Sequence, residues 1–382
     1  MKLVRTTVAA ATLAALAALV TTTPALADAP SAQRLLQAGA AKGVADGYPA
    51  VVGLVRQGDT VQYAAAGVKD LAGRTPADPK AQFRIGSNTK AFTSTVLLQL
   101  EAEGRLSIDD SVAKWLPGAV NANGYDGSKI TVRQLLNHTS GLPEYMKDAA
   151  FGLNYAGNLQ PYQTFAPQAL VDLALRQHAP TSAPGQTWSY ANTNYVLAGM
   201  VITAVTGNTP AAEIQRRIIT PLGLTGTTFP TSDPTLHGNY LHGYQYPGGL
   251  GAVILDVTTS DVQTFGPAGA MVSTADDLAA FGRALMTGKL LPPAQEAELK
   301  TTVPIAANST AGYGLGISHA QLPCGQWAWG HNGAVLGYFS DWLSSEDGSK
   351  QVVRANTEFH LMAGTKGQQD TEQASIDAYC AL

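Results

Sequence analysis

Charged residues and cysteines are scarce in this chain, and no long apolar run follows its first 27 residues. Charged residues are 14% of the 382, and Lys and Arg form no cluster, which argues against nucleic acid as a partner because such proteins need a basic patch. A membrane-spanning helix needs roughly 20 consecutive apolar residues, so no membrane partner is expected after the N-terminus is removed. Hydrophobic residues make up 45% of the chain, which is enough for a large buried core.

The first residues have the three parts of a secretory signal peptide. Lys2 and Arg5 form a basic start, an apolar run follows at Ala9–Val20, and Ala25-Leu26-Ala27 matches an A-x-A cleavage site. We predict a signal peptide at 1–27 and a secreted, extracellular protein. Removal of the two basic residues takes the formal net charge from -4 to -6.

The two cysteines, Cys324 and Cys380, both lie in the C-terminal part of the chain. Oxidising conditions outside the cell favour a disulfide over two free thiols. The bond would close a loop of about 57 residues and add roughly 4 kcal/mol of stability on the chain-entropy model. We predict a disulfide here, with two buried free thiols as the alternative.

Strands are predicted at both ends of the mature chain. Val51–Arg56 and Thr60–Ala64 flank Gly58-Asp59, a dipeptide typical of tight hairpin turns, so the mature chain is expected to start with strands. Near the C-terminus, Ala334–Leu343 and Gln351–Ala355 form a second predicted hairpin. One antiparallel sheet assembled from both termini would accommodate these segments.

The intervening sequence has mainly helical patterns. Apolar residues recur at helical spacing from Ser87 to about Glu103, and a terminal helix is expected near Glu372–Tyr379. The fold class is therefore predicted to be α+β, as a single unit at 28–382. Its parts are a sheet subdomain at about 28–86 and 266–382 and a helical subdomain at about 87–265.

Ser87-Asn88-Thr89-Lys90 places a hydroxyl and an amine three residues apart at the start of a predicted helix, so both lie on one face. Serine alone is a weak nucleophile, but a lysine desolvated in a pocket has a lowered pKa and accepts the serine proton. The Ser87 amide lies in the first helical turn, where it is available to an oxyanion. The sequence therefore predicts Ser87 as a nucleophile and Lys90 as its base.

A second Ser-x-x-Lys occurs at Ser111–Lys114, and its surroundings distinguish it from the first. Ser111 follows Asp109-Asp110 and precedes Trp115-Leu116-Pro117, which is typical of the capped first turn of a short surface helix. We assign no chemistry to this copy.

Tyr190-Ala191-Asn192 precedes a predicted helix and offers a phenol and an amide. A tyrosine beside a positive lysine is expected to lose its proton more easily and to relay it to a leaving group. Asn192 is expected to orient a substrate amide and to help hold Lys90. The alternative is a packed tyrosine with a turn-forming asparagine.

His331-Asn332-Gly333-Ala334 stands at the entry to a strand-like run. Gly333 permits close approach of a substrate backbone, and the Ala334 amide is a candidate second oxyanion donor. His331 is expected beside Tyr190, where it would tune proton transfer to the departing group. A lone structural histidine is the alternative.

In order and approximate spacing, these three segments resemble the three motifs of the serine β-lactamase and DD-peptidase superfamily, and Phe83–Gly86 and Leu135–Leu142 also look like that family. The secreted actinomycete D-alanyl-D-alanine carboxypeptidases are similar in the tyrosine form of the second motif, the histidine form of the third and a disulfide near Cys324 and Cys380. The resemblance implies a five-stranded antiparallel sheet flanked by helices, an all-helical domain and a site in the cleft between them. It implies acylation of Ser87 and no metal or cofactor.

Departures from that family limit the substrate prediction. The third motif is not the Lys-Thr-Gly of most β-lactamases, which makes β-lactam hydrolysis a less favoured main task. The similar carboxypeptidases hold a peptide carboxylate with strand hydroxyls and an arginine after a Gly-x-Gly segment. Here Asn332 and Ala334 replace those hydroxyls, and Ile317-Ser318-His319 follows Gly314–Gly316 without an arginine.

The first hypothesis is a monomeric serine-type D-Ala-D-Ala carboxypeptidase or transpeptidase that acts on small peptides or peptidoglycan fragments, with β-lactams as inhibitors. The enzyme alternatives are an esterase, a D-aminopeptidase or a D-amino acid amidase on the same fold. A penicillin-binding sensor with little turnover is the alternative from another class. His237 and His242 have no third ligand nearby in sequence, so no metal site is predicted.

Overall fold

The computed structural model of the chain describes residues 31–246, 253–358 and 365–382. The predicted signal peptide, with Lys2, Arg5 and the Ala25-Leu26-Ala27 cleavage site, lies outside the described residues. No described helix is both long and apolar enough to cross a membrane.

The described residues contain twelve strands. They are β1 (Ala50–Gln57), β2 (Thr60–Gly67), β3 (Phe83–Arg84), β4 (Tyr244–Gln245), β5 (Leu255–Asp256), β6 (Val272–Ser273), β7 (Val303–Pro304), β8 (Gly312–Tyr313), β9 (Ser318–Gln321), β10 (Trp327–Val335), β11 (Tyr338–Ser344) and β12 (Lys350–Asn356). Eight of them form one antiparallel sheet in the order β2-β1-β12-β11-β10-β9-β8-β7, and β3 with β6 and β4 with β5 form two small ladders.

The helices are distributed on both sides of this sheet and between its two halves in the sequence. They are α1 (Ala32–Ala45), α2 (Thr89–Ala102), α3 (Val112–Trp115), α4 (Val132–Leu136), α5 (Ala149–Ala156), α6 (Pro167–Leu175), α7 (Asn192–Thr206), α8 (Pro210–Ile214), α9 (Thr220–Leu222), α10 (Ala275–Met286), α11 (Pro293–Lys300) and α12 (Lys366–Cys380). Helices α1 and α12 pack together against one face of the sheet, and α10 packs against β1, β11 and β12.

The α+β class and the assembly of the sheet from both termini are confirmed, but the sheet has eight strands in the described residues where the resemblance implies five. Strand β1 joins the two halves because it pairs with β2 on one side and with β12 on the other. Its first six residues are all buried, as expected for a strand covered on both faces.

Three local predictions need correction. The first described element is not the expected strand, because α1 precedes β1. The predicted strand Ala334–Leu343 is a hairpin, in which β10 and β11 meet at Leu336-Gly337, where Gly337 has φ +81°. The predicted helical part also contains the β4–β5 ladder, so it is not purely helical. The subdomain boundaries themselves stay a prediction.

The predicted disulfide is present. Cys324 and Cys380 are bonded, with their Cα atoms 6.1 Å apart. Cys324 lies in the turn between β9 and β10, and Cys380 is the last residue of α12. The bond therefore ties the C-terminal helix to the strand pair that leads to His331.

Helix α2 belongs to the largest hydrophobic cluster of the described residues, and eleven of its fourteen residues are buried. On the side facing α10, the Phe92 ring stacks on the Phe281 ring with centroids 3.6 Å apart. A single 3₁₀ turn at Gly86–Asn88 leads into this helix, and that turn packs against β10. Ser87 is thus held where the buried helix meets the sheet.

Candidate active site

The Lys90 amine lies at the centre of the site and is fully buried. Its Nζ atom hydrogen-bonds to Ser87 Oγ at 2.9 Å, to Asn192 Oδ1 at 2.7 Å and to the Ala268 carbonyl oxygen at 2.8 Å. Burial lowers the pKa of Lys90 to about 7, against the opposing effect of the Glu144 carboxylate. A substantial fraction of this amine is therefore neutral near pH 7 and able to accept a proton from Ser87.

Tyr190 contacts the same two residues. Its hydroxyl hydrogen-bonds with Ser87, and its ring centroid lies 4.8 Å from Lys90 Nζ. The sequence predicts that Lys90 makes Tyr190 easier to deprotonate, but burial raises the pKa of Tyr190 far above its ordinary value. The phenol therefore keeps its proton in the resting site.

The sequence analysis missed Glu144, whose carboxylate lies beside Lys90 and Asn192. Glu144 accepts hydrogen bonds from the backbone N–H groups of Met146, at 3.0 Å, and of Asn192. Burial raises the pKa of Glu144, whereas these hydrogen bonds and the Lys90 charge lower it. No motif marks this residue, because its closeness to Lys90 arises only when the loop after α4 packs against the start of α7.

The backbones of the first and third motifs are in direct contact. A Cβ atom at Gly333 would lie 1.9 Å from the Ile85 carbonyl oxygen and 2.8 Å from the Ser87 amide nitrogen. A Cβ atom at Gly86, where φ is +51°, would lie 2.7 Å from the Ala334 amide nitrogen. The amides of Ser87 and Ala334 thus stand on adjoining backbones, as a pair of oxyanion donors must.

His331 is buried on β10, and both of its ring nitrogens have partners. Its Nε2 atom lies 2.9 Å from the Tyr313 hydroxyl, and its Nδ1 atom contacts the Asn332 carbonyl oxygen. Burial, followed by the Lys90 charge, lowers the pKa of His331 to about 3. The imidazole is therefore neutral at physiological pH. The sequence analysis did not select Tyr313, because the short segment Ala311-Gly312-Tyr313 matches none of the three motifs.

His138 is a second buried imidazole that the sequence analysis did not select. Its ring lies 4.3 Å from the Tyr190 ring, and its Nδ1 atom accepts hydrogen bonds from Ala191 N at 3.3 Å and Asn194 Nδ2 at 3.0 Å. Its carbonyl oxygen accepts the Ser189 N–H at 2.8 Å. His138 therefore supports the turn that presents Tyr190 to Ser87.

The remaining predicted residues are placed as follows. Asn332 is exposed and, by strand alternation, its side chain lies on the opposite face of β10 from His331. Ser111 caps α3 by accepting the Lys114 N–H at 3.3 Å, and Lys114 pairs with Asp110 at 2.7 Å, so the second Ser-x-x-Lys is a structural cap as predicted. The described residues contain no group of three or more side chains suited to holding a metal ion.

This fold and the geometry around Ser87 define a serine hydrolase of the β-lactamase and transpeptidase superfamily. The sequence matches the model of the beta-lactamase family over residues 31–349, and the chain belongs to that family. The resemblance drawn from the three motifs is therefore confirmed.

A solved structure of a D-stereospecific amidohydrolase from Streptomyces sp. is 39% identical, with a TM-score of 0.82 over 90% of this chain and 98% of that chain. A D-amino acid amidase from Ochrobactrum anthropi SV3 shares the fold, with 24% identity and a TM-score of 0.78 over 91% of this chain and 98% of that chain.

Penicillin-binding protein 4* of Bacillus subtilis (strain 168) is 28% identical over 308 residues, which are 78% of this chain. The matched region covers 65% of that protein, so the chain spans slightly less than two thirds of this relative.

Proposed function

We propose that this protein is a serine amidohydrolase that acts on amides or short peptides of D-amino acids carrying a free α-ammonium group. The observation that carries this proposal is the Glu144 carboxylate beside Asn192 and Lys90. A substrate ammonium at this position would form a charge-assisted hydrogen bond, whereas a substrate carboxylate would be repelled.

The cations around the site also favour an amide substrate over a peptide carboxylate. Lys90 is committed to three hydrogen bonds, and His331 is neutral. The residues that follow Gly316 are Ile317, Ser318 and His319, so no arginine stands at the position where the similar carboxypeptidases have one. The likeness to a D-stereospecific amidohydrolase at 39% identity supports the same choice.

The proposed reaction forms and then hydrolyses an acyl-enzyme. Neutral Lys90 accepts the Ser87 proton while Ser87 Oγ attacks the substrate carbonyl, and the Ser87 and Ala334 amides stabilise the oxyanion. Tyr190 donates its proton to the departing nitrogen as the C–N bond breaks, and the proton on Lys90 replaces it. Water then attacks the ester by the same route in reverse, which releases a D-amino acid and restores Ser87.

A panel of substrates tests the proposal against the carboxypeptidase hypothesis. We expect kcat/KM for D-phenylalanine amide to exceed that for L-phenylalanine amide, for N-acetyl-D-phenylalanine amide and for an N-acylated peptide ending in D-Ala-D-Ala. The highest kcat/KM on the D-Ala-D-Ala peptide would overturn the proposal in favour of a carboxypeptidase.

Incubation with benzylpenicillin, followed by mass spectrometry of the intact protein, distinguishes the sensor alternative from an enzyme. A lasting adduct on Ser87 together with no turnover of any amide would indicate a penicillin-binding sensor.

We also propose that the protein is exported and acts as a monomer. The Cys324–Cys380 disulfide supports an oxidising compartment. Mass spectrometry of the protein recovered from culture medium should give a chain that begins near Asp28, and light scattering should give the mass of one chain. Recovery of the protein from inside the cells, with residues 1–27 still attached, would contradict export.

A further inference from the structure

Hydrogen-bond donors and acceptors around His331 fix which of its ring nitrogens carries a proton. Nδ1 contacts the Asn332 carbonyl oxygen, which can only accept, so Nδ1 must be the protonated nitrogen. In a neutral imidazole the Nε2 atom then has a lone pair and no proton. The Tyr313 hydroxyl, 2.9 Å away, must therefore donate to Nε2.

We propose that Tyr313 is a positioning residue that locks His331 as the neutral Nδ1–H tautomer. With both ring nitrogens engaged, His331 is a fixed, uncharged wall of the site and does not exchange protons with the leaving group. This role rests on the proposed function, because it leaves proton transfer to Lys90 and Tyr190 and keeps positive charge away from an ammonium-bearing substrate.

The neighbouring hydroxyls are arranged so that they do not compete for His331. Tyr195 of α7 also contacts Tyr313, but its hydroxyl donates to the Leu136 carbonyl oxygen at 2.8 Å. Ser94 of α2 lies 3.0 Å from the same Tyr195 hydroxyl and is able to donate to it. Neither Tyr195 nor Ser94 therefore directs its proton at His331, and Tyr313 is the hydroxyl that meets Nε2 of His331.

The other titratable groups near this pair favour the uncharged imidazole. Lys90 of α2 acts on His331 as a like charge, and His138, whose ring meets the Tyr313 ring edge-on with centroids 5.0 Å apart, is itself kept neutral by burial. Tyr190 lies 6.4 Å from Tyr313, ring to ring, and keeps its proton because it is buried. A second proton on His331 would meet no counter-charge among these groups.

Tautomers are measured directly by ¹⁵N NMR of protein labelled at histidine, with the His331 signals assigned by their loss in His331→Gln. In the wild-type protein we expect a protonated Nδ1, an unprotonated Nε2 and no titration between pH 5 and 8. Protonation at Nε2 in the wild-type protein would overturn the proposal without requiring any variant.

The Tyr313→Phe variant removes only the hydroxyl. We expect the His331 signals to move toward the average of both tautomers and to titrate between pH 5 and 8, and kcat to fall on the order of tenfold with little change in KM. A fixed Nδ1–H tautomer in this variant would contradict the lock.

Tyr379→Phe is the matched control, because Tyr379 is also buried and donates a hydrogen bond to β10, at the Trp327 carbonyl oxygen. It should leave the His331 signals and kcat unchanged. Absence of amidase activity in the wild-type protein would contradict the proposed function alone, since the NMR result is independent of turnover.

Discussion

At the scale of single residues, burial shifts the pKa values of Lys90 and Tyr190 in opposite directions. It lowers the pKa of the amine to about 7 and raises the pKa of the phenol far above its ordinary value. The same dry environment therefore produces a base and an acid on either side of Ser87. This division of roles follows from packing and was not predicted from the motifs, which suggested a tyrosine that ionises easily.

Replacement of the nucleophile is the first residue-scale prediction. Ser87→Ala should lower kcat on D-amino acid amides by a factor on the order of 10⁴ or more, with the thermal unfolding transition unchanged. Ser111→Ala is the control, because it belongs to the other Ser-x-x-Lys and only caps α3. Wild-type rates from Ser87→Ala would be incompatible with the proposed chemistry.

The second prediction concerns the charge of Glu144. Glu144→Gln keeps the size of the side chain but removes the negative charge, so KM for D-phenylalanine amide should rise on the order of tenfold. KM for N-acetyl-D-phenylalanine amide, which has no ammonium group, should stay within about twofold. Equal changes in KM for the two substrates would mean that Glu144 does not recognise the ammonium.

The third prediction is a pH dependence. Lys90 accepts a proton only in its neutral form, so kcat/KM should rise with pH through about 7. The Glu144 carboxylate raises the pKa of Lys90, and therefore Glu144→Gln should move this midpoint to lower pH. A midpoint that shifts upward in the variant would exclude Lys90 as the titrating base.

At the scale of elements, hairpins and helices with strong local signals were predictable. The β1–β2 hairpin follows from Gly58-Asp59 between two apolar runs, and α2 and α7 follow from helical periodicity. Helix α1 was missed because its buried face is made partly of Gly39, Ala40 and Gly43, which give little apolar periodicity. These small residues let α12 approach closely, since a Cβ atom at Gly39 would lie 2.1 Å from the Ala374 Cβ atom.

The candidate site was also only partly predictable from the sequence. Ser87, Lys90, Tyr190 and Asn192 lie in motifs that local sequence reveals, and the structure brings them together. Glu144, Tyr313 and His138 have no local signature, because their roles depend on which loops pack together in three dimensions.

The prediction at the scale of elements concerns the close packing of strand β10 at Gly333. Gly333→Ala would place a methyl group against the Ile85 carbonyl oxygen and force β10 away from the turn that holds Ser87. We expect kcat to fall by roughly 10²- to 10³-fold, as for loss of one oxyanion donor. Gly325→Ala is a useful comparison, because no atom lies within 4 Å of the added Cβ there, although φ is +82°. Similar losses of activity in the two variants would contradict the explanation by close approach.

At the scale of the whole molecule, the Cys324–Cys380 disulfide links two segments of the C-terminal part of the chain. The Cys324→Ala/Cys380→Ala variant should lose up to about 4 kcal/mol of unfolding free energy on the chain-entropy model, measured by urea denaturation. Its kcat at 25 °C should stay close to that of the wild-type protein, because the bond lies at the β9–β10 turn, away from Ser87. Unchanged stability would show that the reduced chain is already held by α12 packing.

The nucleophile is made early in the chain, but β10 is made only after residue 326. During synthesis, a ribosome-bound fragment that already exposes Ser87 would have one oxyanion amide and no partner strand to supply the other. The proposed hydrolysis would therefore become efficient only after β10 has been synthesised and has packed against the turn that holds Ser87.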